Sequence, residues 1–346
     1  MMQAGAQNDV DLQLIVQEIN TAFAGSISFV YLPGDNADDG SHSAYWVVRR
    51  SLDQLTVPWH AIVGDHDVHE KSFDNFKSYM SAETRYAFTV GSVRFVAMNA
   101  FDVPDPGSFA VLPEQIQWAE RELSSATEAG QTKVLLLHCY PSDLKTGAAE
   151  VADLVRKHDV RLIDMGHTHY NELANDGRTL YTATRSTGQI EEGPVGFSVT
   201  NIDNGVVSWR FLELGQLPAI VITSPCDERL ATVLDETEQH DLKVRAKIWG
   251  DAKILNVEAM LGSATVQLAQ IDRSNIWEGL VQRNSERELR VSATDAMGRR
   301  ATDSILLSGT QFRRRCGRDQ DNAVEAWPEH GILGTQLGPN KNGKKW

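Results

Sequence analysis

The chain has 346 residues, 41% of them hydrophobic, and 47 acidic against 33 basic side chains give a formal net charge of -14. That length points to two domains rather than one, and the acid surplus argues against a nucleic-acid polymer as partner, so a small anionic substrate would need a local positive centre. Cys139, Cys226 and Cys316 do not suit a disulfide scaffold or a Cys-based zinc site, no apolar run has the length of a membrane span, and the start MMQAGAQNDVDLQ shows no secretory leader, which fits a cytoplasmic protein if that start is genuine.

In chain order, Leu12, Ile15, Val16, Ile19 and Phe23 share one helical face. The run SISFVYL predicts a strand that leads into GDNADDG and delivers Asp35, with Asp38 and Asp39 behind it. HAIVG predicts a second strand, ending in Asp65, His66 and Asp67. RYAFTVGSVRFVAMNA predicts a hairpin about Gly91, and Leu112, Ile116, Ala119 and Leu123 mark a helix after it. KVLLLHC predicts a strand that ends in His138, Val151, Leu154 and Val155 a helix, and VRLIDMG a strand running into GHTH with His167 and His169. Strands interleaved with helices predict a layered α/β domain with mixed sheets over residues 1–214.

Beyond that point LKVRAKIW, ATVQLAQI and ELRVSATDAMGRRATDSILL alternate in short runs between turn residues, which predicts a β-sandwich over 215–310. Residues 311–346, with RRRCGR and Trp327 and Trp346, are expected to form a solvated tail.

Taken singly, each polar strand end has a bland explanation. GDNADDG is good turn chemistry, and a lone histidine closing a buried strand is usually a hydrogen-bonded core residue. GHTH is more specific, because alternate residues of an extended segment lie on one side and both imidazoles can reach one metal cluster. Parallel strands bring their carboxyl ends to one crevice, so the four polar ends can converge although they are far apart in sequence.

The ordered set GDNADDG, GDHD, strand-ending His138 and GHTH resembles the calcineurin-like metallophosphoesterase superfamily over roughly residues 10 to 212, and in style the class III cyclic nucleotide phosphodiesterases and glycerophosphodiesterases. LPEQIQWAERELSSA is similar to the family's helix with a Gln and Trp near its start. The resemblance implies an α/β/β/α fold and two divalent ions, Mn, Fe or Zn. Asp35 would bridge them, Asp65, His138 and His167 would complete one shell, and His169 would serve the other. His66 would face the substrate as the catalytic residue, stabilising the phosphoryl group or protonating the leaving oxygen. The implied reaction is attack of a metal-activated hydroxide on phosphorus, with a small phosphodiester as substrate.

Two departures qualify that implication. The family usually has Asn where this chain has Asp65, whose carboxylate is expected to remain a ligand. The family's opening Asp-x-His motif has no counterpart: NDVDLQ offers Asp9 and Asp11 but no histidine, and residue 11 already has the pattern of the first helix. A late start codon or a gene fragment would account for this. The second ion then keeps only Asp35 and His169. A metal-binding but catalytically weak protein that acts through its β-domain, and a phosphomonoesterase, therefore stay open. The β-domain itself resembles the immunoglobulin-like modules attached to some secreted or surface enzymes.

Overall fold

The structure, a computed structural model, describes residues 7–102, 104–105, 108–188, 194–232 and 241–307. The expected tail over 311–346 lies outside the described residues, as do RRRCGR, Trp327 and Trp346. The chain divides into two compact units. One holds described residues 7–17 and 28–188 together with 194–195; the other holds 18–27 and the described residues from Gly196 onward.

The first helix, α1, spans Gln7–Glu18 and continues as a single π-helical stretch over Ile19–Phe23. The apolar face expected from the sequence is real: Leu12, Ile15, Val16, Ile19 and Phe23 are all buried. Asp9 and Asp11 lie inside this helix. Arg50 pairs with the carboxylate of Asp9 at 3.1 Å, and Asp11 accepts from the Gln7 side chain at 2.8 Å.

In the first unit, β1 (Val30–Leu32) pairs in parallel with β2 (Trp59–Ala61). Helix α2 (His42–Leu52) connects them, and Ser41 caps it by accepting from Ala44 N at 3.3 Å. A short helix α3 (Asp74–Tyr79) leads to the hairpin β3 (Tyr86–Val90) and β4 (Val93–Ala97). Val90 stands opposite Val93, so only two residues turn the chain, and Gly91 takes the positive φ of 55° that such a turn requires.

Then follow α4 (Pro113–Glu128), β5 (Thr132–Leu136), α5 (Ala148–Lys157), β6 (Leu162–Met165), β7 (Glu172–Asn175) and β8 (Leu180–Ala183). The six-stranded sheet has the order β3-β4-β5-β6-β8-β7. Its four inner strands run parallel and its outer strands antiparallel, which is the mixed sheet expected from the sequence. Ala119 and Leu123 of α4 and Val151, Leu154 and Val155 of α5 join Val96, Leu135 and Ile163 of the strands in one core. Each of the Val, Leu and Ile side chains, fully buried, contributes roughly 1.5–3 kcal/mol.

In the second unit, β9 (Gly196–Asp203) and β10 (Val206–Glu213) form an antiparallel hairpin. The strands after it are β11 (Ala219–Ser224), β12 (Leu242–Trp249), β13 (Ile254–Leu261), β14 (Ala264–Gln267), β15 (Ala269–Gln270), β16 (Ile276–Val281), β17 (Glu288–Asp295) and β18 (Arg300–Leu306). They build two four-stranded sheets, β11-β12-β16-β15 and β14-β13-β17-β18. Val244, Ala246 and Ile248 of the first sheet share a core with Val257, Ala259, Val291 and Ala293 of the second, the arrangement of a β-sandwich.

Candidate metal centre

Four strands of the first unit end at the same place. β1 runs into Pro33-Gly34-Asp35, β2 into Gly64-Asp65-His66, β5 into His138 and β6 into Gly166-His167. Among the described residues, the ligand-type atoms of Asp65, His138 and His167 lie within 4.8 Å of one another, and so do those of Asp35, Asp65 and His66. Asp65 belongs to both groups. His169, in left-handed backbone at φ 64°, falls outside them.

The glycines that precede the ligands are dictated by this crowding. A Cβ on Gly34 would stand 2.3 Å from His138 Nδ1, and one on Gly64 would stand 2.2 Å from both Asp35 N and Asp35 Oδ1. A Cβ on Gly166 would meet the Pro33 carbonyl oxygen at 2.6 Å. The strand ends converge closely enough that no side chain fits between them. Asp35 and His167 also sit in left-handed backbone, at φ 53° and 63°. That conformation strains a non-glycine residue and is often found at functional sites.

His138 is fully buried, and its Nδ1 lies 2.6 Å from the Pro33 carbonyl oxygen. A carbonyl only accepts, so Nδ1 carries the hydrogen and Nε2 faces the carboxylates. Nε2 is 3.1 Å from Asp65 Oδ1 and 3.5 Å from Asp35 Oδ1. Burial by itself would lower the pKa of this imidazole, but Asp35, Asp65 and the Pro33 carbonyl overcome it and hold it up at about 9. Burial would raise the Asp65 carboxyl, yet hydrogen bonds from His138 and His167 hold it well below the usual carboxylate range.

His167 reaches Asp65 Oδ1 through Nδ1 at 3.2 Å, with Phe109 edge-on against its ring. His66 donates its backbone N–H to Asp35 Oδ1 at 3.0 Å. Its ring Nδ1 lies 2.8 Å from the Asp38 carbonyl and therefore also carries a hydrogen, so Nε2 faces Asp65 Oδ2 at 3.9 Å from a ring about a third exposed.

This donor set fits a divalent cation. Two ligands each about 2.1 Å from one ion at a tetrahedral angle stand roughly 3.4 Å apart, close to the 3.1 and 3.5 Å that separate His138 from Asp65 and Asp35 and the 3.2 Å that separates His167 from Asp65.

Asp67, which the sequence marks only as one of the polar residues that follow the second strand, lies at the centre of this arrangement. It is completely buried, and its carboxylate accepts from Gly64 N at 2.8 Å, Asn36 Nδ2 at 2.8 Å and Tyr45 Oη at 2.7 Å. Burial, followed by the charge of Asp35, raises its pKa to about 6. Among the described residues, the other histidines lie in different settings. His42 is edge-on to Tyr79, His60 stacks on Phe88, His158 pairs with Glu120 at 3.1 Å, and His69 meets the Asp39 carbonyl at 3.0 Å.

Residues 5–171 match the calcineurin-like phosphoesterase family, and this part of the chain is a calcineurin-like phosphoesterase domain with the mixed α/β metallophosphoesterase fold. It is a hydrolytic domain of a class that takes divalent metal ions. The chain is 25% identical over 200 residues to a Synechococcus sp. protein named a probable cyclic nucleotide phosphodiesterase, covering 55% of this chain and 72% of that one. It is 24% identical over 156 residues to an Arcobacter nitrofigilis protein named a probable glycerophosphodiester phosphodiesterase, covering 40% of this chain and 56% of that one. A solved dimetal phosphatase from Danio rerio is 15% identical with a TM-score of 0.49, over 70% of this chain and 86% of that one. Among the described residues no helix is long and apolar enough to cross a membrane.

Proposed function

We propose that this chain hydrolyses small phosphodiesters with the help of divalent metal ions. The observation that carries the reading is that the ligand-type atoms of Asp65, His138 and His167 form one close group and those of Asp35, Asp65 and His66 another, joined at Asp65 where four strands end. Those four residues would hold one ion, Mn, Fe or Zn; Asp35 and His169 would serve a second. Bound there, such ions supply Lewis acidity toward a phosphoryl oxygen and make water more acidic.

The chain's own residues do the rest. The Pro33 carbonyl fixes the His138 tautomer so that Nε2 is the donor. The Asp38 carbonyl fixes the His66 ring with Nε2 toward the crevice, where the imidazolium form could hand its Nε2 proton to a leaving alkoxide. The names of the similar proteins favour a diester over a monoester. The same reading keeps residues 1–214 as the catalytic domain, with an immunoglobulin-like module over 215–310 in a structural or substrate-orienting role.

The test is metal analysis combined with turnover of bis(4-nitrophenyl) phosphate and 4-nitrophenyl phosphate in the presence of Mn. The expected outcome is Mn-dependent turnover faster on the diester and abolished by His138→Ala. Preference for the monoester would favour a phosphomonoesterase. A second reading, a metal-binding but silent protein acting through its β-domain, is favoured by His169 lying outside both ligand groups among the described residues. Full metal occupancy without turnover would establish it.

A further inference from the structure

Five hydrogen-bond donors converge on the Asp67 carboxylate, and their addresses are informative. Oδ2 accepts from Gly64 N and Asn36 Nδ2, both at 2.8 Å. Oδ1 accepts from Asn36 N at 3.1 Å, Ala37 N at 3.3 Å and Tyr45 Oη at 2.7 Å. Gly64 immediately precedes Asp65, and Asn36 immediately follows Asp35. The backbone beside each of the two carboxylate ligands is therefore held by the same pair of oxygens. Asn36 ties the arrangement down further, its Nδ2 also donating to the Ile62 carbonyl at 2.8 Å at the end of β2.

Burying a carboxylate is costly unless hydrogen bonds replace its water. Here the donors that replace it come mostly from the two ligand loops. We propose that Asp67 is a positioning residue of the metal centre, a clamp that fixes the Asp35 loop against the Asp65 loop and so sets the affinity for a divalent ion. The proposal rests on the metal-centre reading above. Asp67 need not touch the ion or the substrate to act, because it works through the backbone of its neighbours. Partners of this kind typically change metal affinity by about 10- to 100-fold when removed.

The variant that isolates this role is Asp67→Asn. It keeps size and shape but turns one oxygen into an NH2 group that cannot accept. Asn36 N reaches both oxygens, at 3.1 Å and 3.3 Å, so whichever way the amide is turned it faces a backbone N–H that it cannot accept from, and the clamp is weakened on the Gly64 side or on the Asn36–Ala37 side. Tyr45→Phe is the control. It removes one donor that comes from α2 rather than from a ligand loop, so stability should fall while affinity stays within about twofold.

The measurement is calorimetric titration of the metal-free full chain with Mn, alongside its melting temperature in chelator. The proposal expects Asp67→Asn to bind Mn about 10- to 100-fold more weakly, and Tyr45→Phe to bind it almost normally at a comparable melting temperature. It is overturned if folded Asp67→Asn binds within twofold of the unmodified chain, or if both variants lose affinity in proportion to stability. If Asp67→Asn does not fold, Asn36→Ala decides: roughly tenfold weaker binding supports the clamp, and unchanged binding overturns it. If the unmodified chain binds no Mn, the metal-centre reading fails and takes the clamp with it. Normal binding by Asp67→Asn would defeat the clamp alone.

Discussion

Strand β12 of the sandwich and the loop Gly64–Asp67 bury residues of opposite kinds. In β12, Leu242, Val244, Ala246 and Ile248 point into the core while Lys243 is exposed, the period of two that a half-buried strand needs. In the loop and its partners, the buried groups are Asp67, Asn36 and His138, and the backbone at Asp35 and His167 is left-handed. The sandwich is held by interchangeable apolar volume. The ligand loops are held by particular atoms at particular distances, so the two regions should respond to substitution in different currencies, stability in one and metal affinity in the other.

The largest effect is expected from Gly64→Ala. Its methyl would have to occupy space 2.2 Å from Asp35 N and 2.8 Å from His138 Cε1, so Mn binding measured by titration should fall more than about 100-fold. Retained binding would mean that the glycine cradle is not what brings the ligands together. Next comes Leu261→Ala, a fully buried position in the sandwich core, expected to cost about 2–5 kcal/mol in denaturant unfolding with Mn affinity unchanged. A parallel loss of affinity would erase the contrast between the regions.

The last test is Asp164→Asn, which probes the burial of a carboxyl in β6, shortly before His167 in the chain. Burial raises the pKa of Asp164 from 3.8 to about 7, against opposing hydrogen bonds from Thr182 and Met165. A carboxyl raised on folding contributes stability that is fully present below its unfolded pKa and lost as pH rises through the folded one. The amide is neutral throughout. Asp164→Asn should therefore match the unmodified chain near pH 4 and melt higher at pH 8, by about 2–4 °C for each kcal/mol recovered. Equal melting temperatures at pH 8 would show that the charge is accommodated at no cost.

Much of the first unit was legible in its sequence because its strands are apolar runs and its ligands close them. KVLLLHC and VRLIDMG deliver His138 and His167 where β5 and β6 end, and the hairpin turns at Gly91. β7 and β8 were not legible. Every residue of both is buried, including Glu172, and a strand buried on both faces shows no alternation. What makes Glu172 acceptable there is the hydroxyl of Tyr140 at 2.6 Å, a partner 32 positions away. Helix α2 was missed because it begins within a polar stretch that also makes a good turn.

Asp67 illustrates the same limit in the site itself. Its local stretch DHDVHE is mostly charged or polar, while all but one of its donors come from Asn36, Ala37 and Tyr45, over 20 residues upstream. Conversely, Gln115 gave a correct local signal without its reason. It closes a two-way bond with the backbone of Asn99, accepting from Asn99 N at 2.8 Å and donating to Asn99 O at 2.9 Å, which anchors α4 to the end of β4.

The Pro33 carbonyl oxygen is where three distant segments meet: it accepts from His138, 105 positions away, and lies where any side chain on Gly166 would have to go. Contacts of such sequence separation close late in folding, because loop entropy must be overcome first. An unfolded or half-folded chain thus has no preassembled binding site. A divalent ion that binds only the native form would add about 1.4 kcal/mol to stability for each tenfold rise in its concentration above Kd. Chelation would withdraw that increment from the first unit, so under metal starvation the folded chain would open more often and be cut more readily by proteases.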